Sequence, residues 1–467
     1  MRSDQADLTG PAGARTTTLA GMTLPEDPWP APTATGPLDA TVDVPGSKSL
    51  TNRYLLLAAL AAAPTELVRP LHSRDSELMV GALRALGATV EEDGEDLRVT
   101  PGPLRGPAQV DCGLAGTVMR FVPALAVLAD GDVHLDGDPR ARERPMGPVV
   151  RGLRDLGAAV DAATNADGEP TLPLTVHGTG ALTGGAVDVD ASGSSQFVSA
   201  LLLAAPGYEQ GVDLRHTGAT LPSLPHIDMT VAVLRERGVT VEELTEVGAP
   251  AGATTEWAPT RWRVHPGPVA GGRIVVEPDL SNAGPFLAAA LAAGGTVRVP
   301  RWPGSTTQAG DGLRELLAAM GAEVVLADGA LRVTGPADGR IQGLDADLHD
   351  VGELTPTIAA LCALAETPSR LRGVAHLRGH ETDRLAAIVT EITRLGGRAR
   401  ETADGVEIEP APLRGGVVES YHDHRMATFG AILGLRVPGV RVVDVATTAK
   451  TLPDFPGMWR AMLAGRG

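Results

Sequence analysis

One short pattern recurs five times along this chain: an amphipathic helix that closes on glycine, followed by strand-like residues. The copies are ALRALGATV (82–90), GLRDLGAAV (152–160), VLRERGVTV (233–241), LLAAMGAEV (316–324) and EITRLGGRA (391–399). In each, the glycine falls just past the helix, where a left-handed backbone ends it at no steric cost. The stretches beyond, DLRVTPG, PLTVHGTG, RWRVHPG, ALRVTGP and GVEIEPA, alternate apolar and polar residues, as half-buried strands do. A unit that buries only one face must stack on further copies of itself, so the pattern predicts a repeat architecture.

A second element alternates with the first. Six Ala/Leu-rich helices are predicted at 53–63, 118–129, 196–205, 285–293, 356–365 and 426–435. They are apolar nearly all round, which marks buried helices. Each follows a polar segment: GSKSLTN, GLAGT, SGSSQ, DLSNAG, HDVGELT and YHDH. Six modules of two helices and several short strands result, in a mixed α/β (α+β) fold. The sixth module runs out before its strand pair. The strand LDATVDVPG (38–46) has no helices before it, so it is expected to complete a unit near the carboxy terminus. Three modules per domain then give two similar domains, 47–277 and 37–46 plus 278–467, joined by chain crossings near residues 46 and 277. Residues 1–36, rich in Pro, Thr, Ala and Gly without periodicity, are expected to be a mobile tail.

The bulk composition narrows the function. A net charge of −17 argues against nucleic-acid binding, which wants a basic face. It leaves room for a small anion held by a local cluster of cations. The two cysteines, Cys112 and Cys362, offer neither a disulfide framework nor a metal signature. No apolar run is long enough to span a bilayer, and the amino terminus lacks the apolar core of a secretion signal. A chain of the reducing cytoplasm is the expectation.

The polar lead-in segments carry the chemistry. In PGSKSLTNR (45–53), Ser47, Ser49 and Thr51 suit a helix cap, but Lys48 and Arg53 oppose the positive end of the helix dipole. The same conflict recurs in HETDRL (380–385) with Arg384, in YHDHRM (421–426) with Arg425 and in TAKTLPDF (448–455) with Lys450. One such cation is incidental; five form a constellation that an anion between them would justify. GLAGTVMR (113–120), DPRARERPM (138–146) and SGSSQF (192–197) add a turn glycine, further arginines and hydroxyl donors. For these the bland readings are a turn, a solvated charged face and a capping run.

Taken together and in this order, PGSKSLTNR, GLAGTVMR, DPRARERP, SSQF, HETDRL, DHRMA and TAKTLPDF closely resemble the motifs of the 5-enolpyruvylshikimate-3-phosphate synthase family, over about residues 38 to 460. No single motif is specific; the ordered set is. The resemblance implies an inside-out α/β barrel in each of two hinged domains. It also implies transfer of the enolpyruvyl group of phosphoenolpyruvate to the 5-hydroxyl of shikimate 3-phosphate, in the shikimate pathway to chorismate and the aromatic amino acids. The implied partners are these two small molecules, with no nucleic acid and no membrane, and a monomer is expected. The family binds glyphosate at the phosphoenolpyruvate position; here Leu114 and Phe121 neighbour Gly116.

By the same resemblance, Lys48, Ser49, Arg53, Ser194, Ser195, Gln196, Ser223, Glu353 and His380 would hold shikimate 3-phosphate. Lys48, Gly116, Arg140, Gln196, Arg384, Arg425 and Lys450 would hold phosphoenolpyruvate. Glu353, Glu381, Lys48 and His380 would carry the catalytic roles, Glu353 at the 5-hydroxyl and Glu381 in proton transfer at C3. The chain departs from the usual family pattern at several places: Glu353 for Asp, His380 for Lys, His226 for Tyr, Leu114 for Asn and His376 for Asn. A histidine at 380 is open to two readings, a cation or a neutral donor. Two rivals remain at this point: a related transferase acting on UDP-N-acetylglucosamine, and a non-catalytic anion-binding relative.

Overall fold

The computed structural model describes residues 28–245 and 260–465. Twelve α-helices are described: α1 (Lys48–Ala59), α2 (Arg74–Ala85), α3 (Gly116–Ala126), α4 (Gly147–Asp155), α5 (Gln196–Ala204), α6 (Leu224–Glu236), α7 (Leu280–Ala293), α8 (Leu313–Ala319), α9 (Thr355–Ala363), α10 (Arg384–Arg394), α11 (His424–Arg436) and α12 (Phe455–Leu463). The odd-numbered helices are the Ala/Leu-rich ones, buried along nearly their whole length. Several begin earlier than their apolar runs suggest. α1 starts at Lys48, not Arg53, because Ser47 caps it by accepting from the Leu50 amide. The glycines past α2, α4, α6, α8 and α10 all have positive φ, as Gly87 does at 109°.

Each of the first five modules is strand, buried helix, strand, amphipathic helix, then a hairpin, and the sixth lacks the hairpin. In the second module Ala108–Asp111 pairs parallel with Asp130–Asp136, Val110 opposite Leu135. That strand then pairs antiparallel with Pro170–Thr179, Leu135 opposite Leu174, and Ala159–Thr164 closes the sheet. Among the described residues there are five such four-stranded sheets and one of three strands.

Two sheets borrow their first strand. The sheet of the first module takes Gly272–Val275, parallel to Thr65–Val68. The sheet of the fourth takes Leu38–Thr41, parallel to Gly295–Pro300. The amino-terminal strand was expected to complete a unit near the carboxy terminus; it completes the fourth module instead. What completes the sixth is Trp29–Pro30, antiparallel to Arg441–Val442.

This changes the expectation for residues 1–36. Positions 1–27 lie outside the described residues, but 28–36 are docked. The Ala31 amide donates to the Val440 carbonyl at 3.0 Å, and the Ala34 amide to Leu435 at 3.1 Å. Trp29 meets the Phe455 ring edge-on, with centroids 6.1 Å apart. Proline and glycine content hid the segment because its burial depends on a partner some 400 residues away, which local composition cannot register.

The buried side chains form two separate cores. One runs from Leu50 to Val276; the other joins Ala31–Val44 to Leu280–Met462. The chain crosses between them twice, and the crossings bond to each other: the Ser47 amide to the Glu277 carbonyl at 2.8 Å, the Asp279 amide to Pro45 at 2.9 Å. Gly46 is required here, since a Cβ would come within 2.4 Å of the Arg69 carbonyl oxygen.

Candidate active site

A cleft with a cavity volume of about 120 Å³ lies between the two halves, at the amino ends of the buried helices. Its cations are Lys48, Arg120, Arg144, Arg384, Arg425 and Lys450. Lys48, Arg384 and Arg425 are within the first two residues of α1, α10 and α11. Side-chain caps make that geometry possible: Asp383 accepts from the Leu385 and Ala386 amides, and Asp423 from the Arg425 amide at 2.8 Å. Lys450 differs from expectation. It ends a 3₁₀ turn, Val445–Lys450, rather than beginning a helix.

The cations converge on two carboxylates. Glu381 receives Lys450 Nζ on Oε1 at 2.7 Å and Arg384 Nη2 on Oε2 at 3.0 Å. Arg384 is fully buried and also donates Nε to Asp423 at 2.7 Å, which outweighs its desolvation and fixes its charge. Glu353 receives Arg425 Nη2 on Oε2 at 2.6 Å, and His226 Nε2 stands 3.6 Å from Oε1. Burial opposes ionisation of both glutamates. Lys450 and Arg384 prevail at Glu381, and Arg425 prevails at Glu353, so both are held well below the usual carboxylate range.

His380 is resolved toward the neutral reading. Burial, then the neighbouring Arg384 charge, push it down to about 3. Arg384 Nη1 lies 3.1 Å from His380 Nδ1, and a guanidinium can only donate, so Nδ1 accepts and Nε2 carries the proton. His376 is packed behind it, ring centroids 5.8 Å apart, and is pushed down to about 4 mainly by burial.

Of the residues singled out from sequence, the cleft gathers Lys48, Ser49, Gly116, Ser194, Gln196, Glu353, His380, Glu381, Arg384, Arg425 and Lys450. Four others are elsewhere. Arg53 is buried and donates to Thr230 Oγ1, Ser199 Oγ and the Ser49 and His226 carbonyls, which ties α1 to α5 and α6. Ser195 is a buried residue at the start of α5, and Ser223 precedes α6 in a left-handed conformation with φ 56°. Arg140 is at the rim, where Nη2 donates to the Glu381 carbonyl at 2.8 Å.

Two cleft arginines were missed. Arg144 lies deeper than Arg140, which stays at the rim: its guanidinium lies against Gly116, where an added Cβ would sit 3.1 Å from Nη2. Nothing local separates the two, because DPRARERPM forms only a 3₁₀ turn, Ala141–Glu143, with no periodicity to aim a side chain. Arg120 donates to Gln196 Oε1 at 2.7 Å and stacks on Phe197, 5.1 Å from its centroid. Its signal was available: it is four residues beyond Gly116, on the same helix face. Among the described residues no three His, Cys, Asp or Glu side chains are placed to hold a metal ion.

Repeated α/β units in two halves, with helix amino ends and six cations around two ionised glutamates, define a class of protein that grips a small polyanion between its halves. Within that class the chain belongs to the EPSP synthase (3-phosphoshikimate 1-carboxyvinyltransferase) family, whose model matches residues 32–459. A 3-phosphoshikimate 1-carboxyvinyltransferase of Kocuria rhizophila is 57% identical over 454 residues, 95% of this chain and 98% of that protein. Two structures of EPSP synthase from Acinetobacter baumannii superpose with TM-scores of 0.75 and 0.74 at 26% and 25% identity. Both comparisons cover 93% of this chain and 97% of the other.

Proposed function

We infer that the chain transfers the enolpyruvyl group of phosphoenolpyruvate to the 5-hydroxyl of shikimate 3-phosphate, with release of phosphate. Family membership supports the reaction. The observation that carries the site assignment is the convergence of Lys48, Arg144, Arg384, Arg425 and Lys450 on one cleft. Phosphoenolpyruvate presents a carboxylate and a phosphate, and fixed cations in a dry cleft match both. Arg140 at the rim and Arg144 deeper in complete the set of cations proposed for phosphoenolpyruvate. Ser49, Ser194, Gln196 and the Nε2–H of His380 are the donors for shikimate 3-phosphate.

The hydroxyl oxygen attacks C2 of phosphoenolpyruvate while C3 gains a proton. The tetrahedral intermediate then loses that C3 proton as the C2–O bond to phosphate breaks. We assign proton traffic at C3 to Glu381, between Lys450 and Arg384, and the hydroxyl proton to Glu353. The two halves are proposed to act as domains, 47–277 and 37–46 plus 278–467, closing on the substrates and excluding water. The separate cores and paired crossings at 45–47 and 277–279 support that division. A monomer working in the cytoplasm fits the reading; no described helix is long and apolar enough to cross a membrane.

The direct test is phosphate release from phosphoenolpyruvate with shikimate 3-phosphate as acceptor. Release only with UDP-N-acetylglucosamine would transfer the assignment to the related enzyme. Release with neither acceptor, from folded protein, would leave an anion-binding relative.

A further inference from the structure

Lys450 is carried by an irregular stretch of chain. Between the strand Arg441–Val442 and the start of α12 at Phe455, the helical content is a 3₁₀ turn, Val445–Lys450. Yet Lys450 Nζ is held 2.7 Å from Glu381 Oε1, in a cleft shared with five other cations that repel it. A loop without its own regular structure keeps a charge in such a place only if its ends are fixed. On the inner side, Thr451 Oγ1 donates to Asn282 Oδ1 at 3.1 Å and the Val443 amide to the Val418 carbonyl at 2.9 Å.

The outer side is fixed by a segment from the far end of the chain. Trp29–Pro30 pairs antiparallel with Arg441–Val442, Trp29 opposite Val442, at the entry to the loop. The Trp29 ring meets Phe455 edge-on at the exit. Phe455 in turn packs on Phe286 and Trp459, with centroids 5.8 and 5.1 Å away. One residue thus touches both ends of the loop, by its backbone at one and its ring at the other. The same segment lies on α11, the helix that begins beside Arg425: a Cβ on Gly434 would come within 2.4 Å of Ala31 Cβ.

We propose that Trp29 is a positioning residue for Lys450: segment 29–34 braces both ends of loop 443–454, so that the ammonium group is in place when phosphoenolpyruvate arrives. This rests on the assignment of Lys450 to phosphoenolpyruvate made above. The brace acts on one substrate. The cations it supports, Lys450 and Arg425, are both assigned to phosphoenolpyruvate. Ser49, Ser194 and Gln196, assigned to shikimate 3-phosphate, belong to the other half of the molecule. Loss of the brace therefore weakens the hold on one substrate and spares the other. A loss of stability alone behaves differently: it reduces the folded fraction and so the turnover, with both KM values intact.

The test is KM for each substrate in phosphate release, for the parent, Trp29→Ala and Trp29→Phe, at a temperature where circular dichroism shows all three folded. Trp29→Ala should raise KM for phosphoenolpyruvate about fivefold and leave KM for shikimate 3-phosphate within about twofold. Trp29→Phe keeps an aromatic edge for Phe455 and should bring KM for phosphoenolpyruvate back to within about twofold of the parent. Two unchanged KM values in Trp29→Ala, with or without a fall in kcat, would overturn the proposal, as would equal rises in both. Should Trp29→Ala fail to fold, Trp29→Leu is judged by the same criteria. A parent that releases no phosphate would overturn the assigned reaction and the role of Lys450 with it, a result distinct from unchanged KM values in an active variant.

Discussion

A single methyl group separates Gly116 from alanine, and the cleft admits it only if a neighbour gives way. The added carbon would meet Arg144 Nη2 at 3.1 Å and Gln196 Oε1 at 3.2 Å, so the guanidinium must retreat by a few tenths of an ångström. Gly116→Ala should raise KM for phosphoenolpyruvate about tenfold, some 1.4 kcal/mol, while the melting temperature holds; an unaltered KM would remove Arg144 from the binding set. Glu381→Gln keeps the shape and loses the charge that Lys450 and Arg384 hold in place. It should bind both substrates yet lose about 10²- to 10⁴-fold in turnover. Near-normal turnover would take Glu381 out of the proton path. At this scale the sequence was readable wherever a cation sat against a helix cap, as with Lys48, Arg384 and Arg425. It could not rank Arg140 and Arg144 by depth in the cleft, because an irregular loop gives no face to count from. It also failed at Arg120, whose place inside an apolar run looked like helix interior.

Among the elements, the docked segment 28–36 contributes more than its length suggests. It supplies the strand that the sixth module lacks, and Ala31 enters the second core. Trp29→Ala should lower stability by about 2 kcal/mol, measured by chemical denaturation, through lost burial and the lost edge contact with Phe455. A change under about 0.5 kcal/mol would make the docking incidental. The modular helices were legible because their periodicity and glycine stops are local facts. The exchange of strands between modules was only partly so: the orphan strand at 38–41 could be noticed, but its partner at 295–298 is a matter of topology.

For the whole molecule, acid is the weak side. His380 at about 3 and His376 at about 4 are neutral when folded and take up protons near 6.5 once unfolded. Between those values the unfolded chain binds more protons, so stability rises with pH across the window from about 4 to 6.5. Denaturant midpoints should therefore climb from about pH 4.5 to 7, and His380→Gln should flatten the climb. A midpoint that is level or falls over that interval would contradict the burial of neutral histidines. The borrowed strands also bear on how the chain is made. On the ribosome, Gly272–Val275 emerges soon after the rest of the first core and can complete it. Leu38–Thr41 has no such luck: it leaves the tunnel early and waits, unpaired, until residues 295–298 appear. Trp29–Pro30 waits longer still, for Arg441–Val442. Strands made early are thus among the last to find their places, and until then they are bare strand edges of the kind chaperones are there to cover.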